Sequence, residues 1–349
     1  MTRMLDRRDF LTSTAAAVPL ICSVGGKTYD VSTAREVDKA DAAAAKTPRP
    51  AAKAAQSEFP TPEPAPGGQV REYWIQARSK RWDIAPKKVD EWMKNRITGR
   101  TKFRAFVYQL MSPGFADPIG RATMPGPTLE AEVGDLLVVH FRNADTRLNQ
   151  AVTMHPHGVK YNPEYDGAYM GDYTRAGGFI APGEEFTYRW ECTPGSVGVW
   201  PYHDHGPNHT LNTMRGLFGA VIVRPKGAAK PDVEQVLMMH SFAPQVTRLP
   251  RLFQAVNGRS GAGNTPTVTA SVGQDVAFHV MGFDSNFHTF HIHGHRWKDP
   301  TGTFVDNPGF GPNETVTARF EEDNPGRWLW HCHVFSHQDA GMAGWYIVN

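Results

Sequence analysis

Residues 326–348 read GRWLWHCHVFSHQDAGMAGWYIV, and residues 198–223 read GVWPYHDHGPNHTLNTMRGLFGAVIV. Both stretches open with glycine and then an aromatic residue, and both continue through His-x-His. Each places a further histidine four residues later and a methionine five residues beyond that. Both end in a short apolar run with glycine before it, as a buried strand would. The sequence therefore contains two copies of one unit, and the fold is expected to repeat.

Strand-like segments dominate the rest of the chain. In residues 129–133, apolar and polar residues alternate as they do on a half-buried strand. The 33 glycines and 27 prolines are spread among short apolar segments, a composition typical of an all-β protein rich in turns. We therefore predict an all-β chain of two similar sandwich domains, at residues 68–228 and 233–349. A short polar helix at residues 86–95 is the expected exception.

The N-terminal part has the composition of a targeting and linking region. Paired arginines, Arg7 and Arg8, precede a short apolar stretch, which is the pattern of a bacterial twin-arginine export signal. We predict such a signal over residues 1–26, and therefore a periplasmic or extracellular protein. Residues 27–67 are rich in Ala, Lys, Pro and Thr, with few large apolar side chains, and are predicted to be a disordered linker.

Charge and hydropathy exclude some classes of partner. The net charge of +2 gives no reason to expect a nucleic acid or an anionic membrane as a partner. Beyond the N-terminal stretch, no run approaches the roughly 18 apolar residues of a spanning helix. We therefore predict no nucleic-acid partner and no membrane span.

Histidines cluster at matched places in the two repeats. Random placement of the 15 histidines would give about 0.6 His-x-His patterns, whereas the sequence has five. They lie at 155/157 and 203/205 in the first repeat, and at 291/293, 293/295 and 331/333 in the second. Imidazole is a ligand for copper, zinc, iron and nickel. The surplus predicts metal binding rather than histidines buried one at a time.

A single cysteine narrows the choice of metal. Cys332 stands between two histidines of the second repeat. The further candidates for its site are two histidines and a methionine: His288, His337 and Met342. Two imidazoles, one thiolate and a weak thioether are the ligands expected of a blue-copper site. Zinc more often takes several cysteines or a closed four-ligand site without a thioether.

Strand geometry gives the His-Cys-His triplet a purpose. Neighbouring side chains of a strand point to opposite faces. Cys332 is then expected to face one metal, while His331 and His333 face a second metal site. The few covalent bonds between these side chains would carry electrons from the first site to the second.

The first repeat lacks the cysteine site. Asp204 stands where the second repeat has its cysteine, and Val152 where it has the first histidine of the blue site. His209 and Met214 remain at the matched positions. We predict no blue copper in the first repeat and a structural role for His209. Cys192 is predicted to be a buried, unpaired thiol.

Together these residues resemble multicopper oxidases, and within them the two-domain small laccases. Four motifs carry the resemblance: His-x-His-Gly at 155–158, His-x-His at 203–205, His-x-x-His-x-His at 288–293, and the His-Cys-His run to Met342. The resemblance covers about residues 68–349 and implies two cupredoxin-like Greek-key β-sandwich domains. It implies copper as the cofactor, with one type 1, one type 2 and two type 3 ions per subunit.

The resemblance assigns a role to each candidate ligand. The type 1 copper would be held by His288, Cys332, His337 and Met342. The type 2 copper would be held by His155 and His291. The type 3 pair would be held by His157, His203, His205, His293, His331 and His333.

These assignments also bear on assembly. Each repeat supplies four of the eight cluster histidines, so a cluster forms only where a first domain meets a second. In small laccases this happens between neighbouring subunits of a ring-shaped trimer, and a head-to-tail contact that closes gives such a ring. The resemblance therefore implies a homotrimer, and the sequence leaves pairing within one chain open as well.

The implied activity is laccase-like. A phenol, an aromatic amine or a metal ion would lose electrons one at a time, and O2 would be reduced to water. That reduction also consumes protons, so a carboxylate is expected near the cluster. Asp166 resembles the acidic residue that follows the first histidine motif in laccases, and Tyr161 is a candidate oxidisable neighbour of the cluster.

Two other functions stay open. A copper nitrite reductase also has two such domains in a trimer, but that family keeps its blue copper in the first domain and uses a single-copper catalytic site. A copper-binding electron carrier needs only the blue site, so the paired His-x-His motifs argue against it. Copper content distinguishes a carrier, with one copper per chain, from an oxidase.

Overall fold

The computed structural model describes residues 20–50 and 59–349. In the first of these ranges lies a hairpin followed by a helix, which we call the N-terminal segment (residues 20–50). Its elements are β1 Ile21–Val24, β2 Lys27–Asp30 and α1 Ala34–Ala44. None of the helices in the described ranges has the length and apolar character needed to cross a bilayer.

The first domain is built from strands joined by turns and short helices. Its strands are β3 Val70–Asp83, β4 Val89–Asp90, β5 Asn95–Arg96, β6 Lys102–Met111, β7 Leu129–Glu132, β8 Leu136–Asn143, β9 His155–Pro156, β10 Glu185–Glu191, β11 Gly198–His203 and β12 Phe218–Arg224. Its helical parts are α2 His209–Met214 and 3-10 turns at Pro113–Phe115, Pro163–Tyr165, Gly171–Tyr173, Ala176–Gly178 and Pro194–Ser196. Two sheets form the sandwich, with strand orders β10-β8-β3-β6 and β7-β12-β11-β9.

The second domain has the same construction. Its strands are β13 Val233–Phe242, β14 Phe253–Val256, β15 Val268–Ala270, β16 Asp275–Gly282, β17 His288–Thr289, β18 His291–Ile292, β19 Trp297–Lys298, β20 Phe304–Val305, β21 Gly309–Phe310, β22 Thr315–Glu321, β23 Gly326–His331 and β24 Ala343–Val348. Its helices are α3 Pro244–Thr247 and α4 Phe335–Gln338. The two main sheets have strand orders β14-β13-β16-β22 and β15-β24-β23-β18.

Strand pairing shows that the repeat seen in the sequence is a repeat of topology. In one sheet of each domain, a parallel pair lies at the centre, β3 with β8 and β13 with β16. In the other sheet, an antiparallel hairpin carries the histidine motif, β11 with β12 and β23 with β24. The prediction of an all-β chain with two similar sandwich domains is confirmed.

A tryptophan packs on the glycine of the first histidine motif in each repeat. Gly158 and Gly294 both have positive φ, 73° and 74°. A Cβ at Gly158 would lie 2.1 Å from the ring of Trp200, and one at Gly294 would lie 3.0 Å from the ring of Trp328. Glycine is therefore required there, because the chain must turn sharply under an aromatic ring.

The two domains of the chain pack on each other through a shared apolar core. The ring centroids of Phe218 and Phe283 lie 4.9 Å apart, and those of Phe103 and Phe242 lie at the same distance. Each pair joins a first-domain residue to a second-domain residue, and all four side chains are buried. This contact fixes the relative position of the domains.

The prediction of a disordered linker over residues 27–67 is wrong for its described parts. In α1, Val37, Ala40 and Ala44 are buried, and the Thr33 side chain caps the helix by accepting from the Glu36 N–H. Farther on, residues 60–65 run along the first domain; the Pro60 and Pro62 carbonyls accept side-chain hydrogen bonds from Asn162 and Arg189. Composition misled the prediction because alanine is also the best helix former, and a narrow apolar stripe suffices when a neighbouring surface covers it.

The predicted leader, residues 1–26, lies mostly outside the described residues. Its last part forms β1, in which Cys22 and Val24 are 2% and 1% exposed. The boundary at residue 26 therefore falls inside a folded hairpin.

The prediction of a helix at residues 86–95 is also wrong. This stretch forms β4 and β5, which pair antiparallel. The Asp90 carboxylate accepts from the N–H groups of Trp92 and Met93 at 3.0 and 3.2 Å. An aspartate that bonds its own backbone in this way favours a turn over a helix.

Candidate metal centre

Three buried side chains converge at the end of β23. Cys332 directly follows that strand, His288 begins β17, and His337 lies in α4. The Cys332 Sγ lies 3.8 Å from His288 Nδ1 and 3.7 Å from His337 Nδ1. Met342 is buried beside them, since its N–H donates to the His337 carbonyl and its carbonyl accepts from the Cys332 N–H. The four predicted type 1 residues are thus brought together.

The distances in this group suit a metal ion between the three atoms. Metal–sulfur and metal–nitrogen bonds of about 2.3 and 2.05 Å, set about 120° apart, would place sulfur and nitrogen about 3.8 Å from each other. The separations of 3.8 and 3.7 Å match this expectation. A thiolate, two imidazoles and a nearby methionine form the donor set of a blue-copper site.

Electrostatics at this group favour a cation. Burial raises the pKa of the Cys332 thiol, but hydrogen bonds with His288 and His337 outweigh it and lower that pKa to about 6. Burial likewise opposes the charged form of His288, yet its two anionic neighbours raise its pKa to about 9. The group therefore stabilises a positive charge beside the thiolate, either a proton on His288 or a metal ion that replaces it.

Asp284 is a residue of this site that sequence reasoning missed. Its Oδ1 lies 3.0 Å from Nε2 of His288, and the opposite ring nitrogen points to the cysteine. Burial raises the pKa of the Asp284 carboxyl, but the interaction with His288 dominates and lowers it to about 2. Such a carboxylate fixes the orientation of a ligand ring. Its only signal in the sequence is an acidic residue four positions before the histidine.

The first repeat forms a group of three histidines across two strands. His155 of β9 pairs in register with His203 of β11, and His157 directly follows β9. The Nε2 atoms of His157 and His203 lie 3.1 Å apart. One potential ligand atom from each of the three lies within 4.8 Å of the others. This group is the first half-site.

The second repeat forms the matching group, which is the second half-site. His291 of β18 pairs in register with His331 of β23. The Nε2 atoms of His293 and His331 lie 3.2 Å apart, and the three ligand atoms again lie within 4.8 Å of one another. Because both repeats have the same strand pairing, they present their histidines in the same way.

Backbone carbonyls fix the tautomer of the ring in these groups. In four rings Nδ1 donates to a carbonyl oxygen at 2.7–3.0 Å: His155, His203, His291 and His331. Asp166 supplies the carbonyl for His155, and Asp306 supplies it for His291. A carbonyl can only accept, so Nδ1 carries the proton and Nε2 is left bare for a metal.

Burial keeps the deeper rings neutral. It lowers the pKa of His203 well below the ordinary value, with neighbouring imidazoles adding to the effect. Burial, again the largest cause, lowers the pKa of three further rings to about 4: His157, His205 and His331. Neutral imidazole is the form that binds a metal, so these rings are ready for metal binding at neutral pH.

The other two predicted cluster ligands border these groups. The His205 ring lies 5.1 Å from the His155 ring, and the His333 ring lies 5.8 Å from the His291 ring. The Nδ1 of His205 is buried and has no hydrogen-bond partner among the described residues. A buried nitrogen in that state fits a metal ligand better than a structural histidine.

Within the described part of one chain, the two half-sites make no ring contact with each other. Among the described residues, imidazole–imidazole ring contacts in these groups join rings of the same half-site only. His293 and His333 are exposed, and a cavity of about 880 Å³ has His291 in its wall. Each chain therefore presents an open half-site on its surface.

The loop after the first histidine motif brings Asp166 and Tyr161 to His155. A carboxylate oxygen of Asp166 lies 3.1 Å from His155 Nδ1, and the Tyr161 ring lies 5.8 Å from the His155 ring. Burial, and then the Asp166 carboxylate, raise the pKa of Tyr161 to about 12. Gly167 holds this loop at φ 74°, where a Cβ would lie 2.0 Å from the Met154 carbonyl oxygen. The roles predicted for Asp166 and Tyr161 stay predictions.

In the first repeat, a hydrogen-bonded carboxylate occupies the position that the cysteine has in the second repeat. Asp204 is fully buried and accepts from the Thr153 N–H at 2.8 Å and from the Asn212 side-chain amide at 3.0 Å. Val152 beside it is also fully buried and offers no ligand atom. His209 stacks on a neighbouring histidine of the half-site at 4.6 Å. These contacts are consistent with a structural role for His209.

Two further side chains contact histidines of the second half-site but are not among the predicted ligands. His295 bonds the buried Glu322 carboxylate through Nε2 at 3.1 Å and the His293 carbonyl through Nδ1 at 2.8 Å. Trp92, from the first domain, packs on the His331 ring at 5.6 Å. Sequence reasoning missed the His295–Glu322 and Trp92–His331 contacts, because each joins segments far apart in the chain.

Comparison with known proteins gives a family for this arrangement. Family models described as multicopper oxidase match residues 121–228 and 228–349. A crystal structure of a multicopper oxidase is 26% identical, covers 82% of this chain and 92% of its own, and superposes with a TM-score of 0.64. A copper-containing nitrite reductase from Thermus scotoductus SA-01 is 18% identical, covers 81% of this chain and 62% of its own, and has a TM-score of 0.59, which shows the fold alone.

Curated relatives are much longer than this chain. A probable nitrite reductase-hydroxylamine oxidoreductase fusion protein of Kuenenia stuttgartiensis is 32% identical over 247 residues, which is 65% of this chain and 28% of that protein. The chain spans less than a third of the length of the first curated relatives that it matches. The family and the cupredoxin-like fold were both predicted from the four histidine motifs, and both are confirmed. With matched models over residues 121–349 and two sandwich domains that each carry a histidine half-site, the chain belongs to the multicopper oxidase family.

Proposed function

We propose that this chain is a laccase-like oxidase, which takes single electrons from a small reductant and passes them to O2. One observation carries the proposal. Cys332 belongs to one buried group of potential ligands, and its neighbour His331 belongs to another. A single backbone thus joins a blue-copper donor set to a histidine half-site, as the coupling of two copper centres requires.

The donor sets define where copper would bind. His288, Cys332, His337 and Met342 would hold the type 1 ion. The eight histidines of two facing half-sites would hold the type 2 ion and the type 3 pair. Bound copper would supply reversible one-electron transfer at the cysteine and reduction of dioxygen at the cluster.

The chain's own residues would govern how electrons enter. His288 is fully buried and its outer nitrogen is occupied by Asp284, whereas His337 is 8% exposed. A reductant is therefore expected to approach His337 rather than His288. The exposed side chain of Phe335 at the start of α4 offers an apolar surface there for a phenol or an aromatic amine.

The activity itself is tested on copper-loaded protein. We expect about four copper ions per chain, with O2 consumed when a phenol, a non-phenolic dye or cuprous ion is supplied. The reductant with the highest turnover would identify the substrate class. A protein that binds one copper and consumes no O2 would be an electron carrier instead.

Nitrite reduction is the second candidate function, because the Kuenenia relative carries that activity in its name. The cysteine in the second repeat and the histidine groups in both repeats favour O2 reduction. Supplying nitrite in the absence of O2 distinguishes the two functions. Nitric oxide released at the rate of reductant oxidation would support the reductase.

Asp166 is proposed to hand protons to the cluster. Its carboxylate reaches His155 Nδ1 and the neighbouring Tyr161, so it can hold a proton beside the half-site. We expect Asp166→Asn to slow O2 reduction by about a hundredfold, because an amide cannot relay a proton. The blue absorption and its anaerobic loss on addition of reductant should stay normal. Unchanged O2 uptake in the variant would reject the relay.

A homotrimer is proposed as the assembly. Each chain carries a first and a second half-site that make no ring contact with each other among the described residues, and a closed head-to-tail ring would bring each first half-site to a neighbour's second. Sedimentation or light scattering measures the state of the assembly directly.

Export by the twin-arginine pathway is proposed, with processing upstream of β1 (Ile21–Val24). Removal of residues 1–26 would delete β1, including its buried residues Cys22 and Val24. The apolar surface on which these two side chains pack would then be exposed. We expect the mass of the exported protein to include β1, and replacement of both Arg7 and Arg8 by lysine to leave the protein in the cytoplasm. An exported chain that begins after Gly26 would contradict the processing site.

A further inference from the structure

The N-terminal segment covers the border between the two domains. Val37, Ala40 and Ala44 of α1 share one buried cluster with Leu211 of α2 and Val246 of α3. The helix α2 belongs to the first domain, whereas α3 belongs to the second. The segment therefore packs its apolar face on both domains at once.

The face that it covers is the counterpart of the type 1 region. His209 in α2 stands at the position that His337 occupies in α4. In the second repeat Asp339, the counterpart of Leu211, is exposed, as is Phe335 at the start of α4, whereas Leu211 of α2 is fully buried in the cluster with α1. In the first repeat, the copper site is thus filled by Asp204, and the helix above it is covered by the chain's own N-terminal segment.

A largely buried ion pair anchors the segment to Arg215, the residue that caps the C-terminus of α2. The Arg215 guanidinium donates to Asp41 Oδ1 at 2.9 Å and to Oδ2 at 2.6 Å. The two side chains are 6% and 19% exposed. The side-chain amides of Gln150 and Asn208 also donate to Asp41 Oδ1, at 2.9 and 3.0 Å. Removal of the carboxylate would leave the guanidinium buried without its counter-charge.

The same network continues to the first half-site. Arg215 also donates to Asn212 Oδ1 at 3.3 Å, and the Asn212 amide donates to Asp204 Oδ2 at 3.0 Å. Asp204 Oδ1 then accepts from the N–H groups of Thr153 and Gly206 at 2.8 and 3.1 Å. These two N–H groups lie just before the first histidine motif and just after the second. Asp204 therefore fixes the spacing of the two backbone segments that carry the half-site.

We propose that Asp41 is a positioning residue for the trinuclear cluster, acting through Arg215 and Asn212 on Asp204. The N-terminal segment is then the part of the fold that holds the first half-site in shape. This inference rests on the proposed function, because it assumes copper at the cluster. Asp41 touches neither a histidine of the half-site nor a substrate, so its effect should reach the cluster and leave the type 1 site unchanged.

The first experiment measures docking of the segment in metal-free protein. Asp41→Asn is compared with Asp38→Asn on the same helix, which also removes an ion-paired carboxylate, but one that is 73% exposed and pairs with Arg248 of the second domain instead of with the Arg215 network. Alkylation of Cys22, which is 2% exposed, reports release of the segment, and Cys192 in the first-domain core reports global unfolding. We expect Asp41→Asn to speed the alkylation of Cys22 at least about tenfold, with Cys192 still protected. Equal Cys22 rates in the two variants would overturn the anchoring role.

The second experiment measures the cluster in copper-loaded protein. We expect Asp41→Asn to change the type 2 electron paramagnetic resonance signal or to lower the cluster copper content. Its blue absorption, and its reduction by a phenol without O2, should match those of Asp38→Asn. Loss of the blue colour together with the cluster would show a merely structural role and would overturn the proposal.

If Asp41→Asn does not fold, a double variant tests the positioning role of Asp41 instead. Asp41→Leu with Arg215→Met removes both charges, so no buried charge is left unpaired. We expect Cys22 to stay protected while the type 2 signal is still altered, because the link to Asn212 is gone. A normal type 2 signal would refute positioning. If the unaltered protein takes up no copper, the proposed function fails, whereas the alkylation result stands by itself.

Discussion

Replacement of Cys332 by serine is expected to abolish the blue absorption and to reduce turnover by at least about a thousandfold. Losses of this size are typical when one member of a group of residues that act together in catalysis is removed. The thiolate supplies the strongest ligand of the type 1 group and is also the point where that group joins the backbone of the second half-site. A serine hydroxyl in the same buried place is neither a thiolate nor acidic enough to replace one. Copper content should fall from about four to about three ions per chain, since the histidine groups are untouched. Visible absorption, metal analysis and O2 uptake check the three parts of this result.

The chain supplies a matched control in Cys192. This cysteine is 2% exposed in the first-domain core, burial raises its pKa to about 12, and among the described residues it belongs to none of the groups that could hold a metal ion. Cys192→Ser introduces the same buried hydroxyl away from the candidate metal sites. We expect it to keep both colour and turnover. A Cys332→Ser protein that stays blue, or a Cys192→Ser protein that loses its colour, would contradict the assignment.

Much of the candidate site follows from strand geometry. Alternation along a strand separates Cys332 from its two flanking histidines, and the structure places Cys332 and His331 in different ligand groups. Repeat matching then pairs 155/157 with 291/293, and the strand registers of β9 with β11 and of β18 with β23 agree with it. The geometry agrees with these groupings because His331 ends β23 and Cys332 directly follows it, and the spacing of a strand is fixed by its backbone.

Residues joined by tertiary contacts could not be predicted in this way. Asp284 orients His288, and Trp92 packs on His331, but neither contact leaves a pattern in the sequence. The fold of the N-terminal segment could not be predicted from the sequence for the same reason. The apolar stripe of α1 consists of only three small side chains. The folding of this helix therefore depends on contacts with Arg215 and with two helices elsewhere in the chain.

The arrangement of the half-sites allows the trimer to be tested by mixing defective chains. His157 and His293 are the second histidines of the matched His-x-His-Gly motifs, one in each half-site. His157→Ala leaves a chain with only its second half-site intact, and His293→Ala leaves only the first. Each variant alone should lose nearly all O2 reduction, because every cluster would lack one of its type 3 ligands. Blue absorption should persist in both variants, since neither residue contacts the type 1 group.

Co-expression of these two chains with different affinity tags is expected to restore about a third of the normal O2 uptake in rings that carry both tags. In a head-to-tail ring of three, any mixture of the two chains contains one contact where an intact first half-site meets an intact second half-site. That contact rebuilds one cluster out of three, next to the intact Cys332 of the chain that supplies the second half-site. If the cluster instead formed within one chain, every cluster would contain one defect and no activity would return. Doubly tagged rings without O2 uptake would therefore rule out clusters shared between subunits, while chains that never co-purify would rule out the trimer itself.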